Sequence, residues 1–322
     1  AKANLLGVAV PEAHGGMGFG FFELCVLLQE FGRAVAPVPA LPTLALGALP
    51  LARFGSDEQQ AAWLPGLVSG DLVLTAGLQE EDSDDPRSPS TRAQRDGSTC
   101  RLTGVKTAVP AASLAARILV PASLEGGGVG LFWVDPQSEG VTLRDQKTSN
   151  RQPHSEVTLS AAAGEPLGDL ARGSEATEWL VQHATAALCA VQLGVSERAL
   201  EITARYTSER QQFDRGVGSF QAVHQRAGDA YINVEAIRLA TWEATWRLAE
   251  GRSDRDSVEI AKYWAAEGGQ STAYACQHLH GGIGIDVDYP LHRYFLWSIQ
   301  LEHTLGSARQ QLARLGARLA EA

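Results

Sequence analysis

Four long stretches of helical periodicity fill the C-terminal half of the chain, and nothing else constrains the fold as much. The runs over 175–209, 219–250, 256–280 and 291–319 are amphipathic, and the first two are rich in Ala and Leu. Helices of this length with short joints hide their apolar faces most simply as an antiparallel bundle. Trp242 and Trp246, four residues apart, fall on one face of the second helix. With Tyr206, Tyr263 and Trp264 they are expected in the bundle core or at a subunit interface.

Ahead of the bundle the period changes. Residues 1–71 read as helical. Val10-Pro11-Glu12 leads into a flexible Gly15-Gly16-Met17-Gly18 turn, and Phe21, Leu24, Cys25, Leu27, Leu28 and Phe31 follow at helical spacing. Ser56 is placed to cap a helix with Asp57 and Glu58 in its first turn, ending near Leu64-Pro65. Between 72 and 169 the pattern is short β-branched or aromatic runs divided by Gly, Pro and Asp. These are Leu72-Val73-Leu74-Thr75, Arg117-Ile118-Leu119-Val120, Gly130-Leu131-Phe132-Trp133-Val134 and Glu156-Val157-Thr158-Leu159, and they predict a small β domain. Residues 80–95 are polar and acidic and read as a mobile loop. The expected division is 1–71, 72–169 and 170–322.

A chain of 322 residues, 44% hydrophobic, can bury a sizeable core. Its net charge of −10 argues against nucleic acid or an anionic membrane as the main partner. Any anionic ligand must therefore be met by local Arg residues. Cys25, Cys100, Cys189 and Cys276 are scattered with no CxxC pair, which predicts neither a zinc site nor a disulfide framework and points to a reducing cytoplasm. No apolar run approaches the roughly 20 residues that span a bilayer. The chain opens on Ala1-Lys2 without a basic-then-apolar signal pattern, and its natural beginning is expected upstream.

Three stretches near helix ends carry the candidate chemistry. Gly281 and Gly282 stop the third bundle helix within Gln277-His278-Leu279-His280-Gly281-Gly282-Ile283-Gly284, and adjacent glycines let another molecule approach the backbone. Upstream lies Ser208-Glu209-Arg210-Gln211-Gln212-Phe213-Asp214, followed by Phe220-Gln221. Downstream lies Gln300-Leu301-Glu302-His303-Thr304-Leu305-Gly306. Alone, these residues also read as a Glu209–Arg210 surface pair, a helix C-cap and a solvated carboxylate. His278, His280 and His303 make no metal set, because residues two apart on a helix do not face each other and no acidic or Cys ligand joins them.

Taken together and in order, these motifs resemble the acyl-CoA dehydrogenase family. The resemblance runs from Val8-Ala9-Val10-Pro11-Glu12 with Gly15-Gly16, through Phe54-Gly55-Ser56-Asp57-Glu58-Gln59-Gln60 and Trp63-Leu64-Pro65, to Arg210-Gln211-Gln212-Phe213, His280-Gly281-Gly282-Ile283-Gly284, Pro290 and Arg293. It implies an α+β fold, mostly α, with an N-terminal helical domain, a small middle β-barrel-like domain and a C-terminal four-helix bundle. It also implies FAD as cofactor and an acyl-CoA thioester as substrate. In that chemistry a carboxylate removes the α-proton while the flavin accepts a hydride from the β-carbon.

The resemblance implies that Arg210, Phe213, Gly281 and Gly282 reach a neighbouring subunit's FAD, the Arg meeting its pyrophosphate. Asp214 stands where the family usually has Gly. His278 stands where it usually has Gln, a role Gln277 can take over. Glu302 falls where many members carry the catalytic base, although Glu-Gly-Thr has become Glu302-His303-Thr304. The position matching another branch's base is about Ala184, which cannot act. In the middle domain the family's Thr-Glu-Pro and Trp-Ile-Thr stretches correspond to about Gln79-Glu80-Glu81 and Ala108-Val109-Pro110. The ring that would stack on flavin is gone, and Pro110 has no N–H to donate.

The retained half of the site is the half a subunit lends. The altered half is the one it keeps. This resembles the α2β2 acyl-CoA dehydrogenases of bacterial steroid side-chain degradation, and implies a homologous partner subunit and an electron-transfer flavoprotein as acceptor. Two other readings stay open: a self-sufficient homo-oligomer using Glu302, and a non-catalytic subunit.

Overall fold

The structure, a computed structural model, describes residues 4–81, 83, 85–97, 99–252 and 255–321. It divides into two compact units, one holding the chain up to Leu24 with Pro37–Ala184, the other Cys25–Ala36 with Thr185 onward.

In the first unit, 3-10 turns at Leu5–Gly7 and Glu12–His14 precede helix α1 (Phe21–Ala34), which starts here. A π-helical stretch (Leu41–Ala48) runs into α2 (Leu49–Phe54), and α3 follows (Asp57–Ser69). Ser56 caps α3 as expected: its hydroxyl accepts from Gln59 N at 3.3 Å, and the Gln59 side chain accepts from Ser56 N at 3.2 Å. The helix does not stop at Pro65. The proline removes one ladder bond from inside it, and the end comes at Gly70, whose φ of +85° turns the chain.

Seven strands follow: β1 (Leu74–Ala76), β2 (Arg92–Asp96), β3 (Thr99–Pro110), β4 (Arg117–Leu124), β5 (Val129–Val134), β6 (Val141–Gln146) and β7 (His154–Pro166). Pairings run β4–β2–β3–β7–β5 and return to β4, so the sheet closes on itself. β1 joins β4 in parallel and β6 joins β7 in antiparallel. Closure leaves little unpaired edge. The interior is apolar, with Leu102, Ile118, Val120, Phe132, Val134, Val157 and Leu159 all 2% exposed or less. Each stabilises the fold by roughly 1.5–3 kcal/mol.

The expected loop over 80–95 is corrected on two points. Arg92–Asp96 is a strand paired with β3, and Glu80 turns inward. Its carboxylate accepts from Ser90 N, Thr91 N, Thr91 Oγ1 and the Lys106 ammonium, whose other partner is the Pro121 carbonyl at 2.8 Å. Asp82 and Asp84 lie outside the described residues.

The second unit holds the bundle. Helix α4 (Gly173–Glu209) passes into it from the first unit, followed by a hairpin of β8 (Gln211–Gln212) and β9 (Arg215–Gly216). Then come α5 (Gln221–Ala249) and α6 (Arg255–His280). The continuous helix expected over 291–319 is broken into α7 (Leu291–His303) and α8 (Ala308–Glu321). Leu305 and Gly306 have φ of +60° and +100°, so the ladder cannot run through them. The Gln311 amide caps the break by donating to Leu305 O. Near the other end, buried Glu197 accepts from Gln29, Arg33 and Arg238, tying α1, α4 and α5 together. Of the tryptophans and tyrosines expected in the core or at a subunit interface, Trp246 is exposed beneath the Arg252 guanidinium and Tyr206 lies half-buried at the α6 end.

Candidate functional site

The α4 end is built to present side chains outward. Arg210 N donates to Tyr206 O at 2.9 Å, and Arg210 O accepts from Val217 N at 2.7 Å. This holds the backbone while the guanidinium stays exposed. Among the described residues Arg210 forms no ion pair, with Glu209 or any other carboxylate. The hairpin turns on Phe213 and Asp214, with φ of +54° and +61°. Two successive left-handed residues make the turn that matches strand twist, and Asp tolerates it where the resemblance led one to expect Gly. For Phe213 the conformation costs about 1–2 kcal/mol. Phe213 is nonetheless 87% exposed, touching only the edge of Phe220, whose other side carries the Arg215 guanidinium at 4.0 Å.

At the α6 end, Gly281 (φ +62°) turns the helix into a 3-10 segment, Gly281–Ile285. Gly282 has no positive φ, and a Cβ built on either glycine meets nothing within 4 Å. Inside this chain, then, nothing requires glycine at 282. Gln277 lies against Gly284, with its amide oxygen buried and unpartnered among the described residues, and His278 is exposed.

The two ends meet through an aromatic cluster that sequence reasoning missed. The His280 ring stacks on Tyr206 (4.4 Å, 19°) and faces the Tyr289 hydroxyl, 3.1 Å from Nε2. Arg210, Gly281 and Gly282 are therefore gathered at one end of the bundle. Tyr206 and Tyr289 carry no local signal beyond being aromatic at helix boundaries.

Glu302 is placed elsewhere. Its side chain is 12% exposed, and Gln270 Nε2 lies 3.0 Å from both carboxylate oxygens. Below it, fully buried Lys262 donates to the carbonyls of Leu301 (3.0 Å) and Glu302 (2.8 Å), and burial pulls this lysine down to about 8. The arrangement clamps the end of α7.

In the barrel, Ala108 adopts φ +48° at an irregularity between β3 and β7. Its N–H donates to Gln146 Oε1 at 2.7 Å, while Gln146 Nε2 donates to Thr107 Oγ1 at 3.1 Å. The Pro110 carbonyl accepts from Thr75 Oγ1 at 2.6 Å. These polar groups are satisfied from within the chain. The exposed fork of Arg210 fits an anionic group approaching from outside, and Gly281 and Gly282 leave the backbone open to close approach.

Fold and motifs together define the class. The acyl-CoA dehydrogenase N-terminal domain matches residues 1–71 and the acyl-CoA dehydrogenase C-terminal domain matches 171–320. The chain belongs to the acyl-CoA dehydrogenase family, whose cofactor is FAD. Among curated relatives, the acyl-CoA dehydrogenase FadE27 of Mycobacterium tuberculosis (strain ATCC 25618 / H37Rv) is 40% identical, the match covering 99% of this chain and 86% of that one. Among solved structures, a variant of the Tcur3481-Tcur3483 steroid ACAD is 46% identical with a TM-score of 0.94, covering 99% of this chain and 86% of its own. The ChsE4-ChsE5 complex from Mycobacterium tuberculosis is 40% identical with a TM-score of 0.94, covering 100% and 86%. No helix among the described residues is long and apolar enough to cross a membrane.

Proposed function

We propose that this chain is one subunit of a cytoplasmic, heteromeric acyl-CoA dehydrogenase that desaturates a bulky, steroid-derived acyl-CoA. It shares a FAD site with a homologous partner in an α2β2 assembly. The observation that carries the reading is the contrast between two surfaces, one in each unit of the chain. Arg210 and Phe213 stand exposed, Gly282 is open with no use inside the chain, and Gly281 turns α6 while leaving its own backbone open. The chain's own barrel face has meanwhile closed around Ala108, Gln146 and Pro110. Two similar structures are titled a steroid ACAD and a two-protein complex.

In this reading Arg210 lends charge and a planar fork to the FAD pyrophosphate. Gly281 and Gly282 admit the cofactor to the backbone, Gln277 or His278 adds a polar contact, and Phe213 packs against the partner. Bound FAD supplies a hydride acceptor for the substrate's β-carbon. The partner contributes the flavin-holding barrel and the base, while Glu302, held by Gln270, is a structural remnant of that role. An electron-transfer flavoprotein takes the electrons. Residues 1–71, 72–169 and 170–322 act as the three domains.

The test is to express the chain alone and with the homologous subunit encoded beside it, measuring flavin absorbance and mass. The expected result is no flavin alone and about one FAD per pair in a heterotetramer. One FAD per chain in the lone protein refutes the reading, and Glu302→Gln then becomes the decisive variant.

A further inference from the structure

The groups assigned to the lent half-site belong to separate elements. Arg210 follows α4, and Gly281 and Gly282 follow α6. A half-site works only if their spacing is held before the cofactor arrives, because a shift of about 1 Å is enough to lose a productive geometry. One side chain reaches both elements and the approach to α7. His280 is 3% exposed, directly before Gly281, with three distinct contacts. Nδ1 lies 2.8 Å from the Cys276 carbonyl, which can only accept, so Nδ1 carries the proton. Nε2 is then the acceptor for the Tyr289 hydroxyl at 3.1 Å. One ring face lies on Tyr206, the residue whose carbonyl takes the Arg210 N–H. The Tyr206 and Tyr289 rings are 6.4 Å apart at 65°, closing the cluster. Burial lowers the imidazole pKa, in keeping with the neutral tautomer.

We propose that His280, clamped between Tyr206 and Tyr289, is the positioning residue that fixes Arg210 relative to the Gly281-Gly282 backbone for the phosphate-bearing part of FAD. Among aromatic side chains only a neutral imidazole offers a flat ring face together with a donor at one edge and an acceptor at another. His280 touches no cofactor itself, and acts through its neighbours. The inference rests on the shared-FAD reading.

The test uses the co-expressed complex, with FAD removed and added back, and reads the FAD dissociation constant, the resolved shape of the flavin absorption bands, the complex mass and Tm. Arg210→Ala tests the reading. Tyr289→Phe removes one hydroxyl, His280→Phe keeps the stack but loses both hydrogen bonds, and Tyr206→Phe keeps the stack as a conservative control. The expected result is FAD binding weakened about 5-fold by Tyr289→Phe and about 10-fold or more by His280→Phe, for one and two lost hydrogen bonds. The bands blur, the heterotetramer mass holds, Tm falls by no more than the few degrees that one or two lost hydrogen bonds cost, and Tyr206→Phe stays near the parent.

Weakening by Arg210→Ala alone, with Tyr289→Phe and His280→Phe unchanged, overturns the positioning role and leaves the reading standing. No weakening by Arg210→Ala overturns both. If His280→Phe fails to assemble, Tyr289→Phe decides. A Tyr289→Phe complex that loses FAD only together with its heterotetramer mass marks the cluster as structural and overturns the inference.

Discussion

Replacing Glu80 by Gln strips the charge from a buried pair without changing its shape. The Lys106 side chain is 1% exposed and the Glu80 side chain 4%, so neither is reached by water. Burial pulls Lys106 down to about 8 even with the carboxylate beside it, and without that charge the lysine is neutral at pH 7. Discharging it from about 8 at pH 7 costs about 1 kcal/mol, which caps the lysine's share of the loss. Glu80 also accepts from Ser90 N, Thr91 N and Thr91 Oγ1, and turning charge-assisted bonds into neutral ones removes about 1–2 kcal/mol more. The expected loss is about 3 kcal/mol at pH 7, the low end for a broken buried pair.

The sign with pH follows from the lysine. Above about 8 the parent also loses the Lys106 proton on folding, so the pair no longer separates parent from variant. The gap should shrink by about 1 kcal/mol between pH 7 and pH 9. Urea unfolding of both proteins at the two pH values measures it. A gap that stays constant or widens refutes the assignment of a charged, inward Glu80–Lys106 pair.

Acid should weaken the first unit through His183, which is stacked on Trp179 and pulled down by burial to about 4. The unfolded chain takes up that proton near 6.5, so stability falls as pH drops through this window, by about 2 kcal/mol from pH 7 to pH 5. His183→Leu should flatten that slope in urea titrations. Ser56→Ala removes the α3 capping box and should cost about 1 kcal/mol, read as a drop in Tm, with no effect on flavin content. Glu302→Gln in the co-expressed complex should leave turnover within about twofold of the parent. A drop of a hundredfold or more in kcat would place the working base on this chain.

Much of the architecture was legible because its signals are periodic. The helices at 175–209, 219–250 and 256–280 announce themselves by apolar spacing, and Ser56 by the residue types around it. The break inside 291–319 was only partly legible. Gly306 is a stop signal, but the apolar spacing reads through it, and leucine at 305 carries no turn signal although it too takes positive φ. Strands β2, β3 and β6 were missed because alternate residues face solvent and dilute the apolar run. The exposed half of the site was readable from motifs, but its internal support was not. Tyr206 and Tyr289 matter only through where the fold places them. Lys106 did leave a trace: the chain has only four lysines, and one inside an apolar strand, like Lys262 inside an Ala-rich helix, is a candidate for burial.

The hairpin tip sets the interests of the lone chain against those of the assembly. Phe213 holds a backbone conformation that Asn or Gly would adopt more readily, and exposes a ring that gains nothing from its own fold. Selection for heat resistance or solubility acting on the isolated subunit would replace it early, and would fill Gly282 soon after, since nothing nearby resists a methyl group. Under the shared-site proposal, a laboratory lineage bred that way would grow sturdier while losing the surface it has in common with its partner. The order in which those positions change would rank how much each one owes to the second subunit.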